Sequence, residues 1–281
     1  MQYSIIGFGQ VGKNLALKLA SEELLNYVFV RNLSIAQNQS KIIGLDEKYL
    51  TDDLDVVLAS DVIIIAINDN QIRDFAIKVS EFLKQKNVIN LNKRVIFHTS
   101  GLQNADILDC LIDYNFSVFA AHPIQTFFSI SQNLLNNIHW GIESGNTNPQ
   151  LIEKIITELD GNPYFLDEKA KNNRALYHLM CVATSNFSVV TMEFGKLVAN
   201  EIGIIDKTIL SRLFEQTSQN IIANINSETM PLTGPFARND YEAIMKYSDS
   251  LKNNQNLFSI FENYKKIVGS ILETEEGKVK K

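Results

Sequence analysis

The chain has 281 residues, of which 45% are hydrophobic and 21% charged, with a formal net charge of −6. This composition is typical of a globular protein of one large or two ordinary domains, and the net negative charge argues against a nucleic acid or an anionic membrane as partner. The 2 cysteines are too few for a disulfide framework, so we expect buried thiols and a cytoplasmic protein. The 4 histidines are scattered and no Cys-x-x-Cys pair occurs, so we predict no metal site.

The first part of the chain alternates short apolar runs with helical patterns. Strands are predicted at residues 3–6, 28–30, 62–67, 95–97, 118–121, 139–142 and 164–166, and early helices at 11–20 and 70–84. Runs that are apolar throughout are typical of parallel strands buried on both faces. The pattern therefore predicts an α/β fold, a doubly wound parallel Rossmann sheet.

From residue 168 onward the sequence predicts an all-α C-terminal domain. Helices are expected at 169–202, 206–226, 239–248 and 253–274, with a loop at 230–238. We therefore expect a Rossmann NADP-binding domain at 1–167 and a helical domain for substrate binding and dimerisation at 168–281. The segments 187–198 and 209–225 are apolar on more than one face, which predicts a homodimer. The longest apolar run, 62–67, is too short to span a bilayer, so no membrane partner is expected.

A glycine motif follows the first predicted strand and opens the first helix. It consists of Gly7, Phe8, Gly9, Gln10, Val11 and Gly12. The first glycine permits a tight turn, the second lets the backbone approach a pyrophosphate, and the third lets the helix pack on the strand. The motif predicts a dinucleotide site at the helix N-terminus. The alternative is an ordinary strand–turn–helix with incidental glycines.

The end of the second strand indicates which dinucleotide is bound. Arg31 lies where NAD-binding folds place an acidic residue, and no acidic residue occurs between Tyr27 and Lys41. An arginine can pair with a 2′-phosphate, with Asn32 adding a hydrogen bond, so NADP(H) is the expected cofactor. Arg31 could instead be a solvated loop residue.

Further cofactor and substrate contacts are expected at the carboxyl ends of later strands. The fourth strand ends in Ala66, Ile67 and Asn68. The next residues, Asp69 and Asn70, are interpreted mainly as a helix cap. After the next two strands come Ser100 with Gly101, which would let a substrate approach the nicotinamide, and His122. Both of these later segments could equally be tight turns with capping hydroxyls.

A polar stripe runs through the otherwise apolar first long helix. Arg174, His178 and Asn186 lie near one helical face, with Ser185 beside them. Such a stripe is costly to bury unless its groups are satisfied, so it predicts a site. Hydrogen bonding between helices is the alternative.

The loop before the third long helix contains an arginine that is a candidate substrate contact. Asn239 and Glu242 resemble a capping box, and Arg238 just before it could clamp a substrate carboxylate. Arg238 could equally pair with a nearby acid for structural reasons.

Taken together, these motifs resemble a family of Rossmann-like oxidoreductases that carry a C-terminal helical domain of unknown function. The resemblance rests on the glycine motif, His98 to Gly101, His122-Pro123, Tyr177-His178 with Ser185-Asn186, and Thr233-Gly234-Pro235 with Arg238 and Asp240. The family is related to 6-phosphogluconate dehydrogenase, 3-hydroxyisobutyrate dehydrogenase and pyrroline-5-carboxylate reductase. The resemblance implies substrate contacts at Thr233, Arg238 and Asp240.

Some members resemble an alternative type of ketopantoate reductase, which implies NADPH-dependent reduction of a small 2-oxo acid, 2-dehydropantoate, to pantoate. Two departures matter. Arg174 stands where this family often has lysine, and Asn239 stands where a glycine is expected. Because arginine does not release its proton near neutral pH, we expect His178 to be the general acid, oriented by Ser185 and Asn186. Another oxo-acid or imine reductase, or a non-catalytic NADP(H)-binding regulator, stays open at this point.

Overall fold

The structure is a computed structural model that describes residues 1–89, 91, 93–145, 148–227 and 230–279, with side chains described up to residue 273. The chain forms two compact units, Met1–Ala183 and Thr184–Lys281. The first unit therefore continues past the expected domain boundary at residue 167 and includes the first turns of the long helix that follows.

In the described part of the first unit, 8 strands form one sheet in the order β3-β2-β1-β4-β5-β6-β7-β8. They are β1 (Tyr3–Ile6), β2 (Leu25–Phe29), β3 (Leu50–Thr51), β4 (Val62–Ile65), β5 (Arg94–His98), β6 (Phe116–Pro123), β7 (His139–Ser144) and β8 (Asn162–Phe165). The neighbouring strands pair in parallel except β6 and β7. The expected doubly wound Rossmann sheet is confirmed.

The helices flank this sheet and then make up the second unit. They are α1 (Gln10–Ser21), α2 (Leu33–Ile43), α3 (Val56–Ala59), α4 (Ile72–Gln85), α5 (Pro149–Glu158), α6 (Glu168–Lys171), α7 (Arg174–Glu201), α8 (Ile209–Ala223), α9 (Gly234–Ala237), α10 (Tyr241–Ser250) and α11 (Gln255–Val279). Short 3-10 segments lie at Glu47–Tyr49, Asp69–Gln71 and Ala105–Tyr114.

The apolar strands form the core because successive side chains point to opposite faces of a sheet that is covered on both sides. In β4, Ile64 packs into the cluster on one face, while Ile63 and Ile65 pack into the cluster on the other, and all three are fully buried. A strand can be apolar at every position only when helices cover both faces. Parallel strands place their carboxyl ends at one edge, where the predicted site residues follow.

The expectation that all sheet strands are parallel is wrong for β7 and β8, because β7 runs antiparallel to β6 and β8 runs parallel to β7. The described segment between the two strands contains no helix, so there is no crossover to return the chain to the other end of the sheet. The predicted capping box is also wrong, because Asp240 rather than Asn239 caps α10 and accepts a hydrogen bond from the Ala243 amide.

Two further expectations are corrected by local structure. The helix expected at 169–202 is two helices, α6 and α7, separated by a short turn. The two cysteines were expected to be buried, but Cys110 is exposed and Cys181 is only partly buried.

The second unit consists of α8 to α11 and the later turns of α7. Phe236 and Tyr264 stack edge to face, with ring centroids 5.5 Å apart, and Phe261 contacts both Phe236 and Tyr247. These contacts bring α9, α10 and α11 together. By length and composition alone α7 would also qualify as a membrane-spanning helix, and 6% of its qualifying window is buried in this structure.

Candidate functional site

The glycine motif forms a tight turn between β1 and α1. Gly7 has a φ of 105°, and a Cβ there would lie 2.5 Å from the Ala66 carbonyl oxygen. A Cβ on the buried Gly12 would overlap with the Gly7 carbonyl oxygen, so these two glycines close the turn against the neighbouring strand. At Gly9 a Cβ would meet nothing within 4 Å. Gly9 is the N-cap of α1 and has no capping side chain, so the first amides of the helix face open space.

A groove of about 620 Å³ lies on one side of this turn. Most of the predicted cofactor contacts line it, namely Gly7, Phe8, Gly9, Arg31, Asn32, Ala66, Ile67 and Asn68. The exposed Arg31 donates a hydrogen bond from Nη2 to Oε1 of Gln71 (3.1 Å) across the groove. The side-chain Oδ1 of Asn32 caps α2 by accepting from the Ile35 amide, which leaves the side-chain NH2 group of Asn32 for a ligand.

A second cavity of about 270 Å³ continues from the first, since both are lined by Gly9, Ala66, Ile67 and Asn68. Its other predicted lining residues are Gln10, Val11, Ser100, Gly101, His122 and His178. The glycine turn therefore lies between a long groove and a smaller cavity with two imidazoles. A dinucleotide would fit this arrangement: the turn would hold its pyrophosphate, and the smaller cavity would leave room for its reacting end.

The two histidines of the cavity converge on Gly101. A Cβ at Gly101 would lie 2.6 Å from Cδ2 of His178 and 3.1 Å from Nε2 of His122, and the two imidazole rings are 5.8 Å apart. Any side chain at position 101 would fill the space that both rings face. The absence of a side chain there keeps this part of the cavity open for a ligand.

Tyr177 holds His122 from the side away from the cavity. Its hydroxyl group lies 3.0 Å from Nδ1 of His122, and the two rings meet edge to face. The hydroxyl itself lies against Gly141 of β7, where a Cβ would overlap with it. The antiparallel strand thus supplies a surface without a side chain on which Tyr177 rests.

Burial lowers the pKa of His122 and of His98, two histidines near this cavity. Burial, together with the nearby His178, Arg174 and His98, lowers the pKa of His122 to about 4. Burial also lowers the pKa of His98 to about 4, although the Asn104 carbonyl opposes the shift. His98 donates from Nε2 to that carbonyl and accepts from the Ser100 amide at Nδ1, so both its nitrogens are used structurally.

Two residues predicted to contact ligands also stabilise the fold. The Ser100 hydroxyl oxygen accepts hydrogen bonds from the Leu102 and Gln103 amides and so stabilises its own turn. Arg174 is buried and its guanidinium donates to the carbonyls of Ser100 and Gln103. Only Nη2 of Arg174 makes these bonds, and Nε and Nη1 have no partner among the described residues. The expectation that Arg238 or Arg174 anchors the substrate carboxylate therefore stays a prediction.

The remaining predicted residues lie in the second unit. The Ser185 hydroxyl donates to Oδ1 of Asn186 (2.9 Å), and Asn186 is exposed. Thr233 and Arg238 are exposed, whereas Asp240 uses its carboxylate as the cap of α10. The ligand roles of all five residues stay predictions.

Five further residues line the cavity without having been assigned a ligand role. Thr99 and Pro123 belong to the motifs of the family resemblance, and the others are Asp69, Gln125 and Phe127. The sequence reasoning did not foresee the role of Tyr177. Tyr177 and His122 are far apart in the chain, so no local pattern could join them. The signal available in the sequence was the Tyr177-His178 pair of the family resemblance, which singled out Tyr177 but not its partner.

Comparison with known families matches two separate segments of the chain. Residues 2–93 match the family described as NADP oxidoreductase, coenzyme F420-dependent. The chain contains an NADP oxidoreductase domain of the Rossmann type. Residues 138–267 match a domain of unknown function, DUF2520. The expected cofactor, NADP(H), is confirmed by the family match of this oxidoreductase domain.

Solved structures similar to the chain show the same fold over nearly its whole length. A Bacteroides fragilis protein described as an NADP oxidoreductase is 19% identical with a TM-score of 0.71, covering 95% of this chain and 97% of its own. A Thermotoga maritima protein is 20% identical with a TM-score of 0.65, covering 98% and 99%. A Plasmodium falciparum pyrroline carboxylate reductase with NADP bound is 14% identical with a TM-score of 0.57, covering 99% and 96%. None of the curated proteins compared matches the chain.

Proposed function

We propose that this NADP oxidoreductase is an NADPH-dependent reductase of a small 2-oxo acid, with 2-dehydropantoate as substrate and pantoate as product. The observation that carries the proposal is the cavity beside the glycine turn, in which the imidazoles of His122 and His178 converge on Gly101. The choice of substrate rests on the motifs that resemble the alternative ketopantoate reductases.

The residues along the groove fit the cofactor. The open space at Gly9 and the uncapped start of α1 suit a pyrophosphate, and Arg31 with Asn32 suits a 2′-phosphate. When bound, NADPH would supply a hydride to the carbonyl carbon of the substrate. The task left to the protein is to orient the ketone and to handle the charge that develops on its oxygen.

His178 is the proposed proton donor for that oxygen. It lines the cavity and is partly exposed, so its ring can meet both a ligand and solvent protons. In the reduction the carbonyl π pair moves to oxygen, and the imidazolium of His178 gives its proton to that oxygen and becomes neutral. Ser185, Asn186 and Arg238 are proposed, from the sequence motifs, as orienting and carboxylate-binding residues.

The proposal is tested by a panel of small 2-oxo acids and cyclic imines with NADPH, followed by the nicotinamide absorbance. We expect turnover with 2-dehydropantoate and little with the other substrates. His178→Ala should lower kcat by roughly 10²–10⁴-fold with NADPH affinity intact, while His139→Ala, at an exposed histidine outside the cavity, should not change it. If the enzyme prefers a cyclic imine, the proposed substrate class changes from oxo acids to imines. If no compound of the panel is turned over, a non-catalytic NADP(H)-binding protein is favoured.

A further inference from the structure

We infer that Tyr177 fixes His122 in the tautomer that carries its proton on Nε2, so that His122 serves as a neutral hydrogen-bond donor to the substrate oxygen in the cavity. The inference deepens the proposed reduction and rests on it. It separates the roles of the two histidines, since His178 gives up a proton while His122 keeps its own.

The tautomer follows from the hydrogen-bonding needs of Tyr177. The side chain is 8% exposed, and a buried phenol needs an acceptor for its proton. Nδ1 of His122, at 3.0 Å, is the one acceptor found for that hydroxyl among the described residues. The hydroxyl therefore donates to Nδ1, which must then be the unprotonated nitrogen, and the ring proton of a neutral His122 lies on Nε2.

The direction of Nε2 follows from Gly101. Nε2 lies 3.1 Å from the position that a Cβ of Gly101 would occupy, and Gly101 lines the cavity. Nε2 has no hydrogen-bond partner among the described residues, so its N–H is available to a ligand. The donor thus faces the same space that His178 lines.

The surroundings of His122 keep it neutral, which suits a donor rather than an acid. Burial and the neighbouring His178, Arg174 and His98 all disfavour the imidazolium form. A neutral imidazole is far too weak an acid to release its proton, but its N–H can stabilise an oxygen that gains negative charge. In the proposed step the hydride forms the new C–H bond, the π pair moves to oxygen, and the N–H of His122 donates to that oxygen while His178 supplies the proton.

Tyr177 is a positioning residue in this scheme, and Gly141 is its support. A Cβ at Gly141 would overlap with the hydroxyl, so Gly141→Ala should displace it as effectively as Tyr177→Phe removes it. Tyr164, which is exposed on the adjacent strand β8, gives the matched control Tyr164→Phe.

The first arm of the test is ¹⁵N-detected NMR of the histidine side chains in the full chain at neutral pH. We expect the wild-type signals of His122 to show a protonated Nε2 and an unprotonated Nδ1. In Tyr177→Phe and Gly141→Ala the Nδ1 signal should shift, whereas in Tyr164→Phe it should not. A wild-type His122 protonated on Nδ1 would overturn the inference.

The second arm uses amide side chains as mimics of single ring nitrogens in the 2-dehydropantoate assay. Glutamine places its amide near Nε2 and asparagine near Nδ1, so His122→Gln should retain much more kcat than His122→Asn. We expect His122→Asn to lose about 10²–10³-fold, the usual cost of one oxyanion donor, with the KM for NADPH unchanged. Equal losses in both variants would reject the donor role. A wild-type enzyme without turnover on any oxo acid or imine would reject the proposed function and the donor role with it, while the NMR arm still decides the tautomer.

Discussion

Arg174 donates hydrogen bonds from Nη2 to the carbonyl oxygens of Ser100 (3.1 Å) and Gln103 (2.8 Å), and so fastens the first turn of α7 to the loop after β5. That loop carries Gly101, the residue on which the two cavity histidines converge. The guanidinium is buried beside the ring of Tyr177, with its central carbon 5.2 Å from the ring centroid. Arg174 therefore supports the loop that lines the cavity but does not line the cavity itself.

This relationship predicts that Arg174→Ala acts on stability. Each buried carbonyl that loses its donor should cost about 1–3 kcal/mol of the free energy of unfolding, and Arg174→Lys should recover part of it with a single ammonium. Urea unfolding of both variants measures the effect, with Arg73→Ala, at an exposed arginine of α4, as the control. A stable Arg174→Ala enzyme with a raised KM for the oxo acid would identify Arg174 as a substrate anchor.

The sequence predicted the sheet and the cofactor turn because both depend on local patterns. Apolar runs and helical periodicity repeat along the chain, and the meaning of Gly7, Gly9 and Gly12 depends only on a strand before them and a helix after them. The family glycine expected at position 239 is an asparagine here, with a φ of 52°. Asparagine is one of the few residues that tolerates this left-handed conformation, so the departure preserves the backbone.

The sequence could not predict which groups meet across the fold. The spacing of Arg174 and His178 places both near one helical face, yet gives no hint that the first would bind carbonyls and the second line a cavity. The direction of β7 likewise depends on a connection without a crossover helix, and the pairing of His122 with Tyr177 depends on two elements that are distant in the chain.

A second prediction concerns the choice of nicotinamide cofactor. Arg31 lines the groove and is exposed, so its charge is available to a 2′-phosphate. Arg31→Ala should weaken NADPH binding by about 1–3 kcal/mol, the range for hydrogen bonds to charged groups, and leave NADH nearly unchanged. Calorimetric titration with both cofactors measures the difference, and Arg73→Ala is the charge-matched control outside the groove. Equal losses for the two cofactors would remove Arg31 from the phosphate site.

Substitutions at two glycines of the turn should have different effects, one on cofactor binding and the other on folding stability. At Gly9 a methyl group meets nothing in the protein, so Gly9→Ala should unfold like the wild type but lose about tenfold or more in NADPH affinity, equivalent to 1.4 kcal/mol. At Gly12 a methyl group would overlap with the Gly7 carbonyl, so Gly12→Ala should lose about 1–3 kcal/mol of unfolding free energy. Thermal unfolding and cofactor titration of both variants make the comparison. Weaker folding in Gly9→Ala would show that this position is structural.

The buried histidines predict how stability depends on pH. The folded pKa of His98 and of His122 is about 4, below the value of about 6.5 expected in the unfolded chain. Between these values the unfolded chain binds more protons, so stability rises with pH through this window and is lost as the pH falls. Each histidine should cost about 2 kcal/mol of unfolding free energy between pH 7 and pH 5.

Urea unfolding at the two pH values checks this prediction with variants that remove one titrating group at a time. His98→Asn and His122→Gln should each show a smaller loss on acidification than the wild type, whatever their stability at pH 7. His139→Asn, at an exposed histidine, should lose as much as the wild type. An unchanged pH dependence in both buried-site variants would mean that neither histidine resists protonation in the folded state.

The last prediction is that the second unit forms a homodimer through α7 and α8. Exposed apolar side chains crowd these helices, and no residue of α8 is buried. They are Phe187, Val189, Val190 and Leu197 on α7, and Ile209, Leu213, Phe214, Ile221 and Ile222 on α8. A soluble monomer rarely leaves so large an apolar surface to water, and a second copy of the same chain offers a matching one.

Sedimentation of the wild type at micromolar concentration should give twice the mass of one chain. Leu213→Glu, in the middle of the exposed face of α8, should shift the protein toward monomer, while Gln216→Glu adds the same charge to the same helix and should leave the dimer intact. Because α7 is long and apolar enough to cross a bilayer, membrane insertion is the competing prediction. Flotation with phospholipid vesicles distinguishes the two, since a helix covered by a partner chain should stay with the soluble fraction. A monodisperse wild-type monomer, or a wild type that floats with the vesicles, would contradict the dimer.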